Sequence, residues 1–160
     1  MSKIKFLSFS FEYSVGSVIY RIENGKILFL LLHYVSGHWD FVKGHKEKDE
    51  TDLETLKRET FEETGIKDLK TVKDFKKCSY YFYKAKGMEK NKRIESGSGV
   101  NIFKKVTYYL SETGEKTVRI SKEHQGYTWI EYEKALKRIT HKRPKRILKE
   151  AIERLQRAGM

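Results

Sequence analysis

The beginning of the chain carries the hydrophobic pattern of three β-strands. In residues 4–13 two sets of side chains alternate, a period of two that is typical of a strand. One set is apolar and the other is largely polar: Leu7, Phe9, Phe11 and Tyr13 against Phe6, Ser8, Ser10 and Glu12. Residues 15–22 and 27–34 are largely apolar, and both segments have the length of a strand. Between them lies Asn24-Gly25, the usual signal of a hairpin turn. The sequence therefore predicts one strand followed by a β-hairpin.

Strand and helix patterns continue to the end of the chain. Further strands are predicted at residues 69–83, 101–111 and 127–130. Helices are predicted at residues 131–139 and from Pro144 onward, because proline suits the first position of a helix. Between these elements, residues 87–99 are polar and contain glycine, serine and asparagine, which predicts a long mobile loop.

One further helix is predicted at residues 50–64, a segment that lacks glycine and proline and ends at Gly65. Thr51 and Glu54 have the spacing of a capping box, which places the start of the helix at Thr51. The predicted inward-facing positions are Leu53, Leu56 and Thr60. With strands on both sides of this helix and two helices at the end, the predicted fold class is α+β, with a mixed sheet between helices.

Three carboxylates share a second face of this helix. Glu59, Glu62 and Glu63 stand at i, i+3 and i+4, within about one turn, so their charges repel unless a cation lies among them. Hard cations such as Mg²⁺ prefer oxygen ligands and often bridge carboxylates to phosphates. A metal held there could neutralise a polyphosphate and orient a water. Taken alone, Glu62 and Glu63 would be typical of an ordinary solvated helix surface.

The wider spacing changes that interpretation. Gly44, Glu50, the pairs Arg58-Glu59 and Glu62-Glu63, and Gly65-Ile66 stand at fixed intervals. The pattern at residues 44–66 resembles the Nudix box, with Thr60 in place of an aliphatic residue. The resemblance implies a single Nudix hydrolase domain over residues 1–160, an α/β/α sandwich with a central mixed sheet. It also implies hydrolysis of a phosphoanhydride.

The resemblance assigns roles to individual positions in the box. Glu59, Glu62 and Glu63 are the expected metal ligands, one of which could also accept a proton from the attacking water. Arg58 would orient carboxylates by pairing with Glu59 or Glu50, and the alternative is an ordinary surface ion pair. Gly44 would let the backbone approach the metal, with the carbonyl of Lys43 as a further ligand, and the alternative is a simple turn glycine.

Segments within and beyond the box are similar to asymmetrical diadenosine tetraphosphate hydrolases. These segments are residues 38–45, 50–55 and 123–129, together with the strand that holds Lys104. The similarity implies that Lys43 and Lys104 contact phosphates and that Glu123 adds a ligand or base. It also implies that Tyr127 holds an adenine or its phosphates, although strand alternation would equally place Tyr127 in the core. His38 would be a donor in the pocket or a surface or structural histidine.

The expected reaction is Mg²⁺-dependent hydrolysis of diadenosine tetraphosphate to ATP and AMP, with Mn²⁺ as the alternative ion. Two other functions are considered. One is removal of pyrophosphate from the 5′ triphosphate end of RNA, because RNA pyrophosphohydrolases have similar boxes. The other is a nucleotide-binding regulator without turnover, which the complete set of carboxylates argues against.

Composition adds limits on partners and location. The chain has 34 Lys and Arg against 22 Asp and Glu, a net charge of +12 that attracts polyanions such as nucleotides and RNA. No apolar run has the length of a membrane span and no signal peptide is recognised, so a cytoplasmic protein is expected. Cys78 is the only cysteine, which excludes an intrachain disulfide and suggests a core thiol. The sequence leaves the oligomeric state open and is compatible with a monomer.

Overall fold

A computed structural model describes residues 9–160 of the chain, and this part contains seven strands and four helices. In chain order the elements are β1 (Phe9–Glu23), β2 (Lys26–Tyr34), β3 (Trp39–Asp40), β4 (Val42–His45), α1 (Asp52–Thr64), β5 (Lys70–Lys84), α2 (Gly87–Glu95), β6 (Asn101–Glu112), β7 (His124–Glu131), α3 (Tyr132–Arg138) and α4 (Lys142–Arg157). No helix in the described part is long and apolar enough to cross a membrane.

Strand β1 organises the sheet. It pairs in parallel with β6 along most of its length, and in antiparallel with β2 and β4 on its other edge. Strands β3 and β7 pair with β2, and β5 pairs with β6. The parallel β1–β6 pair among antiparallel neighbours makes this a mixed sheet, which confirms the predicted α+β class.

The expected break between the first two strands is wrong. Ser14 belongs to the continuous strand β1, where it stands opposite His45 of β4 and Val106 of β6. Since strands flank it on both edges, there is no place for a turn. The predicted strand residues 4–8 lie outside the described part of the chain.

Helices cover both faces of the sheet. Val18 and Tyr20 of β1 point into a core shared with α3 and α4, whereas the intervening Ile19 points into a second core on the other face. Leu148 and Ala151 of α4 belong to the first core and are fully buried, as the sequence predicted. The α/β/α sandwich is therefore confirmed. Helix α4 begins two residues earlier than expected, so that Pro144 is its third residue.

Residues 87–99 do not form a long loop, because Gly87–Glu95 is helix α2. Helix-forming residues follow Gly87, and Arg93 pairs with Glu89 one turn earlier at 3.0 Å. The helix has no buried residue, so the sequence carries no apolar stripe from which it could be predicted. Gly97, with a φ of 70°, takes the left-handed conformation just after the helix.

Cys78 is exposed, and the expectation of a core thiol is wrong. It lies on β5, which stands at the end of the strand order. A strand pattern predicts which residues share a face, but it does not tell whether another element covers that face. Ser79, the next residue of β5, is buried, so the tertiary structure decides which side of this strand is covered.

Candidate active site

Helix α1 has the ends that the sequence predicts. The Thr51 hydroxyl accepts a hydrogen bond from the Glu54 backbone N–H at 3.3 Å, and the Thr51 N–H donates to the Glu54 carboxylate at 2.7 Å. Gly65 closes the helix with a φ of 74°. These caps fix the residues at which α1 begins and ends.

The buried face of α1 differs from the predicted one. Leu56 and Thr60 are buried as expected, but Leu53 is 46% exposed. The hydroxyls of Thr55 and Thr64 form internal hydrogen bonds to Glu50 and to the Thr60 carbonyl, so these polar residues can be buried. The buried face therefore turns away from Leu53 and includes Glu63. The buried residues of α1 are Thr55, Leu56, Thr60, Glu63 and Thr64.

Gly44 of β4 lies directly against Glu59 of α1. A Cβ atom at residue 44 would stand 1.8 Å from the Glu59 Cδ atom, far inside van der Waals contact. The φ angle of Gly44 lies outside the left-handed region, so a turn does not require glycine here. The close approach of the strand to the Glu59 carboxylate is the reason for glycine at this position.

Arg58 connects the carboxylates of the box. Its Nε and Nη2 atoms donate to the two oxygens of Glu50 at 2.6 and 2.9 Å. Its Nη1 atom donates to Glu59 at 2.8 Å and to Glu62 at 3.3 Å, and Nη2 also reaches the His45 carbonyl at 2.9 Å. Both predicted partners, Glu50 and Glu59, are therefore engaged at once. The bidentate pair with Glu50 fixes the guanidinium in one orientation.

Glu63 is buried beside His124. The His124 Nε2 and Glu63 Oε2 atoms are 3.2 Å apart, an ion-pair distance, but their angles do not make a hydrogen bond. Within the described residues, Glu63 Oε2 is thus a buried oxygen without a hydrogen-bond partner. Burial raises the pKa of Glu63. The ring of Tyr34 packs edge-on against His124, with 4.4 Å between ring centroids.

The other predicted ligands lie on the same side of the molecule. Burial raises the pKa of Glu59 against the lowering effect of Arg58, and the negative charges of Glu62 and Glu123 add to the rise. Glu62 and Glu123 are exposed. Glu123 lies just before β7, where its backbone carbonyl accepts a hydrogen bond from Val35 at 3.1 Å. The fold therefore brings Glu123 within electrostatic range of the box helix.

The carboxylates fit a hard divalent cation in kind. In the described part of the chain, no three acidic, histidine or cysteine side chains already converge as a metal-binding group, and Arg58 supplies the positive charge between Glu59 and Glu62. The oxygen of Glu63 that lacks a hydrogen bond, and the space that Gly44 leaves at Glu59, both suit a cation. Oxygen donors of this type are those that Mg²⁺ prefers.

Lys43 and His38 meet around the ring of Tyr34. The Lys43 Nζ atom pairs with the buried Asp40 carboxylate at 2.7 Å and lies 4.6 Å from the centre of the Tyr34 ring. His38 is half-buried and stacks on the same ring, with 4.4 Å between centroids. Burial, followed by the charge of Lys43, lowers the pKa of His38 and favours its neutral form.

Lys104 lies on β6, opposite Glu12 of β1. It is half-buried, and burial lowers the pKa of its ammonium group. Glu12 is already paired with Arg93 of α2 and, at 3.0 Å, with His45. Lys104 therefore stands at the side of the sheet where β1 and α2 meet, and it forms no ion pair with any of the described residues.

Tyr127 is 41% exposed on β7, so the core alternative for it is wrong. Trp129, two residues further along the same strand, packs against the second core and donates to the Lys116 carbonyl at 3.0 Å.

Sequence reasoning missed two contacts of the site, namely His124 with Glu63 and Asp40 with Lys43. No local pattern links Glu63 to His124, because they are far apart in the chain. Asp40 and Lys43 are close in sequence, but their pairing depends on how β3 and β4 turn.

Comparison with known proteins agrees with the fold and the box. Residues 11–151 match the family model of the NUDIX domain. The chain belongs to the Nudix family and is a Nudix hydrolase. It is 35% identical over 139 residues to the mouse asymmetrical bis(5′-nucleosyl)-tetraphosphatase, covering 83% of this chain and 84% of the relative. The protein of the same name from Caenorhabditis elegans is 36% identical over 129 residues, covering 78% of this chain and 82% of the relative.

Solved structures give the same result. The crystal structure of a C. elegans Ap4A hydrolase binary complex superposes with a TM-score of 0.72 at 32% identity, covering 93% of this chain and 99% of that chain. A Nudix hydrolase structure from Listeria monocytogenes, 22% identical with a TM-score of 0.67, shares the fold. The relatives support hydrolysis of a nucleoside polyphosphate by this chain.

Proposed function

We propose that this chain, as a single domain over residues 1–160, hydrolyses dinucleoside tetraphosphates in a divalent-metal-dependent reaction. Water adds to one phosphorus of diadenosine tetraphosphate and a bridging P–O bond breaks, which yields ATP and AMP. The observation that carries the proposal is the set of carboxylates on α1, where Glu59 lies against Gly44 and Glu63 presents an oxygen without a hydrogen bond. The names of the mouse and C. elegans relatives support the choice of substrate.

In this proposal Glu59, Glu62 and Glu63 hold Mg²⁺ or Mn²⁺, and Glu123 adds a ligand or a base from the turn before β7. When bound, the cation neutralises phosphate oxygens and makes a bound water more acidic. Arg58 keeps Glu59 in place, because its guanidinium is itself fixed by two hydrogen bonds to Glu50. One of the ligand carboxylates accepts the proton of the attacking water.

The remaining residues hold the substrate. Lys43 and Lys104 contact phosphate oxygens, a role that suits the compact charge of an ammonium group. Gly44 keeps the backbone close to the carboxylates. Tyr127 offers an exposed ring on which an adenine can stack, a contact worth about 1–3 kcal/mol. His38, neutral and stacked on Tyr34, donates a hydrogen bond to the nucleotide.

A substrate panel tests the reaction. Purified protein is incubated with Mg²⁺ and, separately, with diadenosine tetraphosphate, ATP, and an RNA that carries a 5′ triphosphate, and the products are identified by mass. Formation of equal amounts of ATP and AMP from the first substrate is the expected result. Loss of pyrophosphate from RNA alone would replace this proposal by an RNA pyrophosphohydrolase. No turnover of any substrate, with nucleotide still bound, would identify a regulator.

Substitutions in α1 test the residues. Glu62→Gln and Glu63→Gln are each expected to lower kcat by about 10²-fold or more, since a positioned metal contributes several kcal/mol. Glu153→Gln on the exposed side of α4 is the matched control and keeps wild-type activity. Circular dichroism verifies that each variant is folded. If both box variants retained full activity, these residues would have no part in the mechanism.

A further inference from the structure

Six aromatic side chains are exposed together on one face of the sheet, at the end where β1 and β6 begin. Each is 40–69% exposed. This aromatic face consists of Phe9, Phe11, Tyr13, Tyr80, Phe82 and Phe103. Since an aromatic residue presents about 150–250 Å² when fully accessible, the exposed rings present on the order of 500–800 Å². Apolar patches on monomeric proteins rarely exceed a few hundred Å², and larger ones mark interaction sites.

The rings form one continuous surface because strand register places them side by side. Phe11 of β1 stands opposite Phe103 of β6, which in turn stands opposite Phe82 of β5. The ring centroids of Phe11 and Phe103 are 6.0 Å apart, and those of Tyr80 and Phe103 are 6.2 Å apart. Residues two apart on a strand share a side of the sheet, so the three strands build a single platform.

Lysines lie within and beside this platform. Lys105 stands between Tyr13 and Tyr80 in the register of the three strands. Lys84 follows Phe82 on the same side of β5. No salt bridge to Lys105 or Lys84 is found among the described residues. The aromatic face therefore combines flat apolar rings with positive charges that have no acidic partner there.

Two hollows adjoin the rings. The first, of about 290 Å³, lies between rings of the aromatic face and is lined by Phe11, Glu12, Tyr13, Tyr80, Phe103 and Lys105. The second, of about 450 Å³, shares Tyr13 and Lys105 with the first and continues to Lys46, Lys76 and Asp52. Lys46 and Lys76 both pair with Asp52, at 2.9 and 3.5 Å, so one aspartate faces three lysines and the second hollow keeps a net positive charge. A hollow lined mainly by aromatic rings and a basic one thus lie next to each other.

We propose that the aromatic face binds single-stranded nucleic acid. Bases stack on the exposed rings, and the neighbouring phosphates lie at Lys105, Lys46 and Lys76. Stacking on aromatic side chains beside a basic groove is the general means by which proteins hold single strands. The net charge of +12 adds long-range attraction. The surface is separate from the proposed phosphate contact Lys104, because adjacent residues of β6 point to opposite sides of the sheet.

Charge favours this occupant over a second copy of the chain. In a two-fold dimer the same patch would face itself, so the Lys105 side chains of both copies would enter one apolar interface. Burying a charge without a partner is costly. Two molecules of charge +12 also repel each other. A nucleic acid brings the negative charge that the patch lacks.

Fluorescence anisotropy with labelled 12-nucleotide oligouridine and oligothymidine tests the proposal. The variant Phe11→Ala/Phe103→Ala is expected to bind at least about tenfold more weakly, because it removes two of the rings on which bases stack. Tyr83→Ala is the matched control, since Tyr83 is an exposed ring on the opposite side of β5. Lys105→Gln should reduce the slope of log Kd against log salt concentration by about one. Hydrolysis of diadenosine tetraphosphate should be unchanged in all three variants.

Three results would overturn the proposal. The first is absence of single-strand binding by the wild type at 50 mM NaCl. The second is equal affinity of the double variant and Tyr83→Ala, which would reduce the binding to general charge attraction. The third is a wild-type dimer in sedimentation velocity that Phe11→Ala/Phe103→Ala converts to a monomer, which would assign the aromatic face to a second copy. Circular dichroism verifies the fold of each variant, so that a loss of affinity reports on the surface.

Discussion

At the scale of single residues, the box depends on side chains that are fixed by their neighbours. Glu59 is held from one side by Arg58 at 2.8 Å and from the other by the backbone of Gly44. Glu50 acts through Arg58, because it fixes the guanidinium that orients Glu59. Substitutions at these two positions should therefore displace the Glu59 carboxylate, directly at Gly44 and through Arg58 at Glu50.

Gly44→Ala is expected to lower kcat by about 10²-fold, because its Cβ atom would displace the Glu59 carboxylate and misplacement of about 1 Å can have that effect. Steady-state kinetics with diadenosine tetraphosphate measures this. Gly114→Ala is the control, since its Cβ atom would meet only Asp68 at an ordinary 3.5 Å. Wild-type kinetics for Gly44→Ala would show that the site tolerates a shifted Glu59.

The pair between Glu50 and Arg58 should make stability depend on acid pH. Hydrogen bonds from Arg58, then from Thr55 and the backbone N–H of Glu47, lower the pKa of Glu50 to about 2. An unfolded chain has a glutamate pKa of about 4.3, so this stabilisation is fully present above that pH and is lost as the pH falls towards 2.

The difference in Tm between wild type and Glu50→Gln should therefore be constant above about pH 5 and shrink between about pH 4.3 and 2. Thermal unfolding followed by circular dichroism across this range provides the measurement. Glu153→Gln, on an exposed surface of α4, should show no such narrowing. A gap between wild type and Glu50→Gln that stays the same down to pH 2 would contradict the assignment.

At the scale of elements, α1 and α2 are held in different ways. Helix α1 has a capping box and a buried face, whereas α2 has neither a side-chain cap nor a buried residue. The contacts of α2 with the sheet are polar: Arg93 pairs with Glu12 of β1, and Tyr83 of β5 donates to Glu89 at 3.1 Å. Arg93 also donates to the Gly99 carbonyl, in the connection to β6, at 3.3 Å. Such an element belongs to the low-stability part of a fold.

Arg93→Ala should detach α2 without unfolding the protein. Amide hydrogen exchange in residues 87–95 is expected to become at least about tenfold faster, since removing one partner of a hydrogen-bonded charge pair weakens local order by about 1.5–3 kcal/mol. Exchange in α4 should stay at the wild-type rate, because apolar packing holds that helix. Lys90→Ala, an exposed change in the same helix, is the control. Unchanged exchange in α2 would mean that other contacts hold it.

At the scale of the whole molecule, charge is the dominant property. Lysine and arginine exceed aspartate and glutamate by 12, and like charges over one compact surface repel each other. The same excess attracts a polyphosphate substrate to the site. Salt screens both effects, so binding and stability should respond to ionic strength in opposite directions.

Raising NaCl from 20 to 200 mM should increase KM for diadenosine tetraphosphate and at the same time raise Tm by about 2–4 °C, the shift that about 1 kcal/mol produces in a chain of this size. Kinetics and differential scanning calorimetry measure the two quantities. Sucrose, which carries no charge, is the control for KM and should leave it unchanged. A fall in Tm with salt would show that ion pairs outweigh the repulsion.

Local interactions made α1 predictable from sequence. Its capping box, its end at Gly65 and the partners of Arg58 all depend on residues close together in the chain, and spacing therefore determines them. Helix α2 could not be predicted in this way, because it has no apolar stripe. The length of β1 was also missed, since neighbouring strands on both edges carry it past Ser14.

The sequence by itself determined the family, the box helix and the two-sided core, because these follow from identities at fixed intervals along the chain. Only the tertiary structure decided which side chains meet across the sheet. It buried Glu63 beside His124, left Leu53 and Cys78 exposed, and gathered rings from β1, β5 and β6 on one surface. The physical reason is that burial and long-range contact depend on which strands become neighbours, and strand order is not written in any local pattern.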